Sequence, residues 1–317
     1  MGEKQTITVF GATGSQGGGL VRAILADPES GFAVRAVTRH SDSPQARELT
    51  RLGAEVVQAD MDDGASLAAA FEHAYGAYLV TNFWEHMSAE REKAQALALA
   101  RAASHAGIQH AIWSTLEDTR DCVPLEDTRM PTLQEHYKVP HFDGKAEADH
   151  YFTEEGVPTT FLRTTFYWEN LLTIAAPRRG EDGVLELVLP MGDRRLSGIA
   201  VADIGKTALG VFKRDTDLIA ATVSIAGEHL TVADMAAALT ETVGEPVRYR
   251  PVTADAFRGL GFPGADETGN MFQYYADCAD RFTAARDLAA IRDLNPALQD
   301  FGTWLAAHRD ELRTALT

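Results

Sequence analysis

Cysteine is scarce in this chain: 317 residues carry two, Cys122 and Cys278. Two are too few for a disulfide framework, so reduced thiols are expected, and reduced thiols fit the cytoplasm. Basic residues are also short, 29 against 46 acidic ones, for a formal charge of −17. That balance argues against a general nucleic-acid or anionic-membrane binder, and no basic run offsets it. The cysteines and histidines lack the spacing of a zinc site, so no metal is expected. No uninterrupted apolar stretch approaches the length of a membrane span. The first strand-like run begins within a handful of residues of Met1, which leaves no room for a signal peptide. What remains is a soluble, acidic protein of the cell interior. Its hydrophobic content of 45% and charged content of 24% are ordinary for an enzyme-sized globular chain.

The most informative stretch is Phe10-Gly11-Ala12-Thr13-Gly14-Ser15-Gln16-Gly17-Gly18. It follows a β-branched and apolar run, Thr6 to Phe10, and opens a helical pattern that continues to about Asp27. A strand, a glycine turn and a helix start together form a cradle for a dinucleotide pyrophosphate. Glycines let the backbone turn and approach the phosphates, and the N–H groups of the helix start face the negative charge. Gly11, Gly14 and Gly17 give a G-x-x-G-x-x-G spacing, with Thr13, Ser15 and Gln16 as further cofactor contacts.

Strand-like and helix-like segments alternate through the first half. Short apolar runs at Ile7–Phe10, Ala33–Thr38, Glu55–Gln58, Ala77–Thr81 and Ala111–Ser114 read as buried parallel strands. Helical patterns lie between them near residues 17–27, 44–52, 65–74 and 88–106. A further helix follows Pro140, then a strand at Thr159–Arg163. The order implies an α/β fold, a Rossmann-type doubly wound parallel sheet over residues 1–165. From about Phe166 the pattern loosens into a smaller α/β substrate domain over 166–317, with strands such as Val184–Leu189. Segments near 197–203 and 247–252 could return to the first domain. Glu117 to Val139 has little apolar periodicity, and a loop of that length reads as a lid.

Residues at the strand ends choose the cofactor. The second strand ends in Arg39-His40 with no acid until Asp42, so a guanidinium stands where the 2′-phosphate of NADP would lie. This favours NADP over NAD, although arginines at strand ends are often plain surface residues. The third strand ends in Asp60-Met61, placed to meet the adenine; Asp60 could equally cap the next helix. The fourth ends in Thr81-Asn82-Phe83-Trp84-Glu85, whose adjacent aromatics suit a pocket wall or the cover of a helix.

The runs Val9-Phe10-Gly11-Ala12-Thr13-Gly14, Val80-Thr81-Asn82-Phe83-Trp84-Glu85, His141-Phe142-Asp143-Gly144-Lys145, Phe166-Tyr167-Trp168-Glu169-Asn170-Leu171-Leu172 and Gly261-Phe262-Pro263-Gly264-Ala265 resemble the NmrA-like family of atypical short-chain dehydrogenase/reductases. Five motifs in order, spanning nearly the whole chain, make the resemblance specific. It implies a Rossmann domain, a smaller α/β domain and NADP(H) in the cleft between them. It also implies cofactor contacts at the glycine loop, Arg39, the Asn82–Phe83 region and Lys145; Thr81 and Phe166 are further cofactor-binding candidates. One departure is Ser43, which stands where a family member carries a lysine against the adenosine phosphate.

Typical short-chain reductases place Tyr-x-x-x-Lys on one helix face. Here His141 stands in the tyrosine's register and Lys145 in the lysine's. Imidazole titrates near neutrality and can donate a proton. A nearby ammonium and a helix N-terminus both disfavour its charged form, and His141 reads equally as a polar first-turn residue. Tyr167, Tyr137 or water are the other donors, with Lys145, His141 and Tyr167 the catalytic candidates. Trp84, Tyr137, Trp168, Met271, Phe272 and Tyr275 form the candidate substrate wall. The reading that results is an NADPH-dependent reductase of an apolar or aromatic C=O, C=N or quinone-type small molecule, in a chain that could form a homodimer. The alternative is a non-catalytic NADPH redox sensor acting through shape change and partner binding.

Overall fold

The computed structural model describes residues 4–316. Its strands in chain order are β1 (Gln5–Val9), β2 (Phe32–Thr38), β3 (Glu55–Gln58), β4 (Gly76–Leu79), β5 (His110–Thr115), β6 (Thr159–Arg163), β7 (Phe166–Tyr167), β8 (Arg178–Arg179), β9 (Leu185–Leu189), β10 (Arg195–Ile199), β11 (Thr222–Ser224), β12 (Glu228–Thr231) and β13 (Val247–Pro251). The first helices are α1 (Ser15–Ala26), α2 (Pro44–Leu52), α3 (Gly64–Phe71), α4 (Ala89–His105), α5 (Pro140–Glu154) and α6 (Val201–Lys213). The remaining ones used below are α7 (Val232–Val243), α8 (Ala254–Arg258), α9 (Ala265–Asp277) and α10 (Ala279–Ala284).

The chain forms two compact units. The first comprises residues through Asp118, His141–Thr164 and Ala202–Val223. Its seven-stranded sheet has the order β11-β6-β5-β4-β1-β2-β3. The pairs from β3 through β6 run parallel, as the α/β reading expects. The order reverses between β1 and β4, and the carboxyl ends there frame the crevice in which doubly wound sheets bind ligands. β4 and β5 are buried along their whole length, as strands covered on both faces are. One face is filled by Phe10, Phe71, Leu79, Trp113 and Phe152 among others.

Local signals fix the helix ends. Ser43 accepts from Ala46 N with Pro44 at the first helical position, and Gly53 closes α2 in the left-handed region. Ser43 is thus spent on a helix cap. Asp63, not Asp60, caps α3.

The second unit comprises Thr119–Pro140, Thr165–Val201 and Ser224–Thr317. Two three-stranded sheets, β12-β10-β7 and β13-β9-β8, carry it. The division thus differs from a single break after 165. Residues 202–223 go with the first unit, because β11 extends its sheet beside β6, whereas Val247–Pro251 pairs with β9 in the second.

The Glu117–Val139 segment is not a free lid. From Thr119 it folds with the second unit, and the buried Lys138 ammonium staples it internally. Lys138 Nζ donates to the carbonyls of Asp127 and Met130 at 2.8 and 2.7 Å and to Thr132 Oγ1 at 3.2 Å. Asn270 of α9 ties it further, donating to the carbonyls of Pro131 and Lys138. The expectation of reduced thiols is also overturned: Cys122 and Cys278 form a disulfide, with Cα atoms 6.5 Å apart. Their spacing in sequence, 156 residues, hides a proximity that only the fold creates. The inference of a reducing compartment loses its basis with it. Among the described residues no helix is long and apolar enough to cross a membrane.

α6 lies against α1 at a glycine contact. A Cβ on Gly205 would stand 2.2 Å from Leu20 N and from Gly19 C, both backbone atoms that cannot swing aside. Gly205→Ala should therefore cost about 3 kcal/mol in urea unfolding, the upper range for overpacking. An unchanged midpoint would show that the two helices separate freely.

Candidate cofactor and active site

The glycine turn joins β1 to α1 at the crevice. Gly11 has φ +62°, a left-handed conformation that costs glycine nothing. A Cβ on Gly17 would lie 2.5 Å from the carbonyl oxygens of Phe10 and Gly11, so α1 closes onto the end of β1 only because Gly17 has no side chain. Gly14 is the N-cap of α1 and provides no side-chain cap. A helix start with no side-chain cap of its own suits an anion. Thr13, Gly14 and Ser15 are exposed at this start. The Gln16 side chain is committed elsewhere: Tyr78 Oη and Ser114 Oγ both donate to its Oε1, the latter at 2.7 Å. Gln16 thereby pins the helix start to the neighbouring strands β4 and β5. The loop fits a dinucleotide pyrophosphate.

Arg39 lies at the end of β2, half-exposed, and pairs with Glu85 at 2.8 Å. Asn82 Nδ2 donates to the same Glu85 oxygen at 3.1 Å. Sequence reading missed Glu85, although the residue ends the quoted Phe-Trp-Glu run. An exposed ion pair of this kind contributes little and can be exchanged for another anion. Asp60 accepts from Asp62 N, shaping the turn after β3, and Met61 packs against the core beneath.

At the end of β4 the structure builds a buried polar cluster. Lys145 of α5 donates to Thr81 Oγ1 at 2.8 Å and to the Thr81 carbonyl at 3.2 Å. Its ammonium also stands 3.0 Å from Glu92 of α4, whose carboxylate is completely buried. Thr81 Oγ1 in turn donates to that same Glu92 oxygen at 2.7 Å. The ammonium lies 5.1 Å from the centroid of the Trp113 ring. Glu92 had no signal of its own, since an acid in the first turn of a helix usually faces solvent.

Asp149 lies one turn beyond Lys145 on α5, on the same face. It accepts from Trp113 Nε1 at 3.0 Å. Burial pushes its carboxyl up to about 6, against opposing hydrogen bonds from Thr115 and Trp113 and the cations Arg163 and Lys145. The Lys-x-x-x-Asp spacing could have marked it.

Beside this cluster is an aromatic stack. Trp84, 47% exposed, lies 5.0 Å from the His141 ring, with Phe83 5.7 Å from His141 on its other contact. His141 is buried, and Phe142 packs against it edge-on at 4.8 Å. Thr81, Asn82, Phe83, Trp84, His141 and Lys145 are thus one constellation of the first unit.

The other expected site residues belong to the second unit. Trp168 is core, not pocket wall: its ring packs against Phe301 and Trp304 at 5.4 and 6.1 Å. A Cβ on Gly198 would collide with it at 2.1 Å. Tyr137 is buried in the stapled loop, pairing with Leu133 and covered by Arg120, so it is not poised to swing. Phe166 packs on Phe272, and Phe272 on Tyr275, at 6.0 and 6.2 Å, each of them buried. Tyr167 on β7 and Met271 on α9 are partly exposed. Among the described residues no group of three His, Cys, Asp or Glu side chains could hold a metal.

A model of the NmrA-like family matches residues 3–299. The chain belongs to the NmrA-like family. Among its NmrA-like relatives is the NmrA-like family domain-containing oxidoreductase FrzB of Cladobotryum sp, 28% identical over 88% of this chain and 86% of that protein. The NAD(P)H azoreductase of Xenophilus azovorans is also 28% identical, over 81% of this chain and 82% of its own. The fold matches the negative transcriptional regulator NmrA in complex with NADP, with a TM-score of 0.78, 21% identity and coverage of 99% and 98%. That regulator is also known in complex with NAD.

Two groups of the first unit titrate in opposition. Asp149 is raised, so its contribution is complete below the usual carboxylate range and lost as pH rises through about 6. His110, buried and bonded to Thr160, is lowered to about 4 chiefly by burial; its contribution is complete above 6.5 and lost as pH falls through about 4. Relative to wild type, Asp149→Asn should gain up to about 3 kcal/mol of stability between pH 4 and 7. His110→Gln should lose a similar amount across the same window as pH rises. Urea unfolding at several pH values checks this, and three parallel curves would contradict it.

Proposed function

We propose that this chain is an NADP(H)-dependent oxidoreductase that reduces an apolar, aromatic C=O, C=N, N=N or quinone-type group. The observation that carries the reading is the Thr81–Glu92–Lys145 cluster at the end of β4, directly beside the Phe83–Trp84–His141 stack. The glycine turn would hold the pyrophosphate, Arg39 the 2′-phosphate and Lys145 the nicotinamide ribose. Bound NADPH supplies a hydride. Glu92 and Thr81 hold the Lys145 ammonium in place, which is the positioning such a transfer requires. The flat, half-exposed Trp84 ring suits an aromatic substrate. An oxidoreductase and an NAD(P)H azoreductase among the relatives support the same class.

Preference for NADP over NAD rests on Arg39, with Glu85 as its competitor. Arg39→Ala should weaken NADPH binding by about 2 kcal/mol, the scale of a charge-assisted hydrogen bond, and leave NADH binding almost unchanged. Glu85→Gln should tighten NADPH binding, because the phosphate no longer displaces a carboxylate. Calorimetry that finds wild-type affinity equal for both cofactors refutes the preference.

A second reading, a sensor that binds NADPH without turnover, is favoured by one observation. The residue one turn before Lys145 is His141, wedged in an aromatic stack instead of a phenol. NADPH oxidation against aromatic ketones, quinones, cyclic imines and azo dyes separates the two. Under the reductase reading Lys145→Ala abolishes turnover, and the Glu92→Gln/Lys145→Ala variant, free of a stranded carboxylate, controls for folding. His141→Ala should lose about 10²-fold if imidazole gives the proton; a negligible loss moves that role to water. No turnover with any acceptor, together with an NADPH-induced change of shape, selects the sensor.

A further inference from the structure

The second unit holds an open cavity of about 590 Å3, lined by both cysteines of the disulfide and by Arg129, Asp193, Arg194 and Asp277. None of these belongs to the site described above. The two cysteines differ in exposure. Cys278, between α9 and α10, is buried, whereas Cys122 is partly exposed. A disulfide sealed in a core is inert to exchange because no thiolate reaches it; one in a cavity wall is open to attack at its accessible sulfur. We propose that Cys122–Cys278 is a thiol-exchange site and that this cavity admits a small zwitterionic peptide thiol to it.

The chemistry balances with the thiol as the co-reactant. A thiolate attacks Cys122 Sγ, a mixed disulfide forms there, and Cys278 leaves as a thiolate that takes up the first thiol's proton. A second thiol displaces Cys122 in the same way. Two small thiols are oxidised to one disulfide, and the protein disulfide is reduced to two thiols. The volume lies within the range of small-molecule sites. Its rim carries both signs: Arg129 stands 4.0 Å from Asp277 and is chelated by Asp127, while Asp193 and Arg194 are adjacent and exposed. Carboxylates and an ammonium on one small molecule match that pattern.

Exchange need not unfold the unit. The Thr119–Pro140 segment keeps its other ties when the bond opens: Arg281 to the Asp121 carbonyl and carboxylate, Gln273 to the Arg129 carbonyl, Asn270 to two carbonyls, and Lys138 to its own loop. Reduction would loosen the stretch around Cys122 alone. The proposal does not depend on the cofactor reading.

The test uses glutathione and its disulfide as probes on the native full chain. Wild-type protein held in reduced glutathione without denaturant, then alkylated, should show two modified cysteines by mass spectrometry. The Cys278→Ser variant should take one glutathionyl group at Cys122 from glutathione disulfide, with saturable kinetics. Its rate should exceed that with uncharged hydroxyethyl disulfide by about tenfold, the factor one charge-assisted contact supplies. Arg194→Glu added to it should abolish that advantage while sparing the uncharged reaction, and Cys122→Ser should leave Cys278 unmodified. Thiols that appear only after denaturation, reduction by a protein dithiol alone, or equal and unsaturable rates with both disulfides would overturn the proposal.

Discussion

Glu92 is a carboxylate without solvent exposure, and the first unit can hold it there only because the Lys145 ammonium and the Thr81 hydroxyl meet one of its oxygens. Desolvating either charge alone would cost several kcal/mol, so each is the condition for the other. The pair joins three elements: the end of β4, the first turn of α4 and the face of α5. It also fixes an ammonium at the carboxyl edge of the sheet, one turn from His141 and one turn from Asp149. Positions of the aromatic stack and of the raised carboxyl both follow from how α5 is docked by this contact.

The crevice side of the sheet shows the same economy of means. Gln16 is tied by Tyr78 and Ser114, which places the start of α1 against the ends of β4 and β5. Gly17 removes the only side chain that would keep α1 from β1. In the second unit the equivalent work is done by a stapled loop and a disulfide. A cation buried among carbonyls, Lys138, makes the segment after β5 a rigid part of the unit, although its sequence reads as a mobile lid.

Much of the first unit could be read from residues alone, because its signals are local. A parallel strand buried on both faces must be an apolar run, and a phosphate-binding turn must carry glycine where backbone atoms touch. Lys145 and His141 were visible through their spacing on one helix, and Asp149 would have been by the same spacing. The second unit was read less well. Trp168, Tyr137, Phe272 and Tyr275 are aromatic residues whose types fit a pocket wall and a core equally. Nothing in their local sequence says which face of β7 or α9 is covered. Residues 202–223 joined the first unit for a similarly non-local reason: a sheet edge far back in the chain needed β11.

By itself, the sequence determined the α/β class, the glycine turn, the family and the His141–Lys145 spacing on one helix face. Each of these rests on contacts within a few residues or on a periodicity that burial imposes. Tertiary structure alone decided that Glu92 is buried beside Lys145, that Glu85 pairs with Arg39, that Trp168 is core, and that Cys122 meets Cys278. In every one of these the partner lies on another element of the chain. Burial, charge pairing and covalent reach depend on distance in space, which separation along the sequence does not encode.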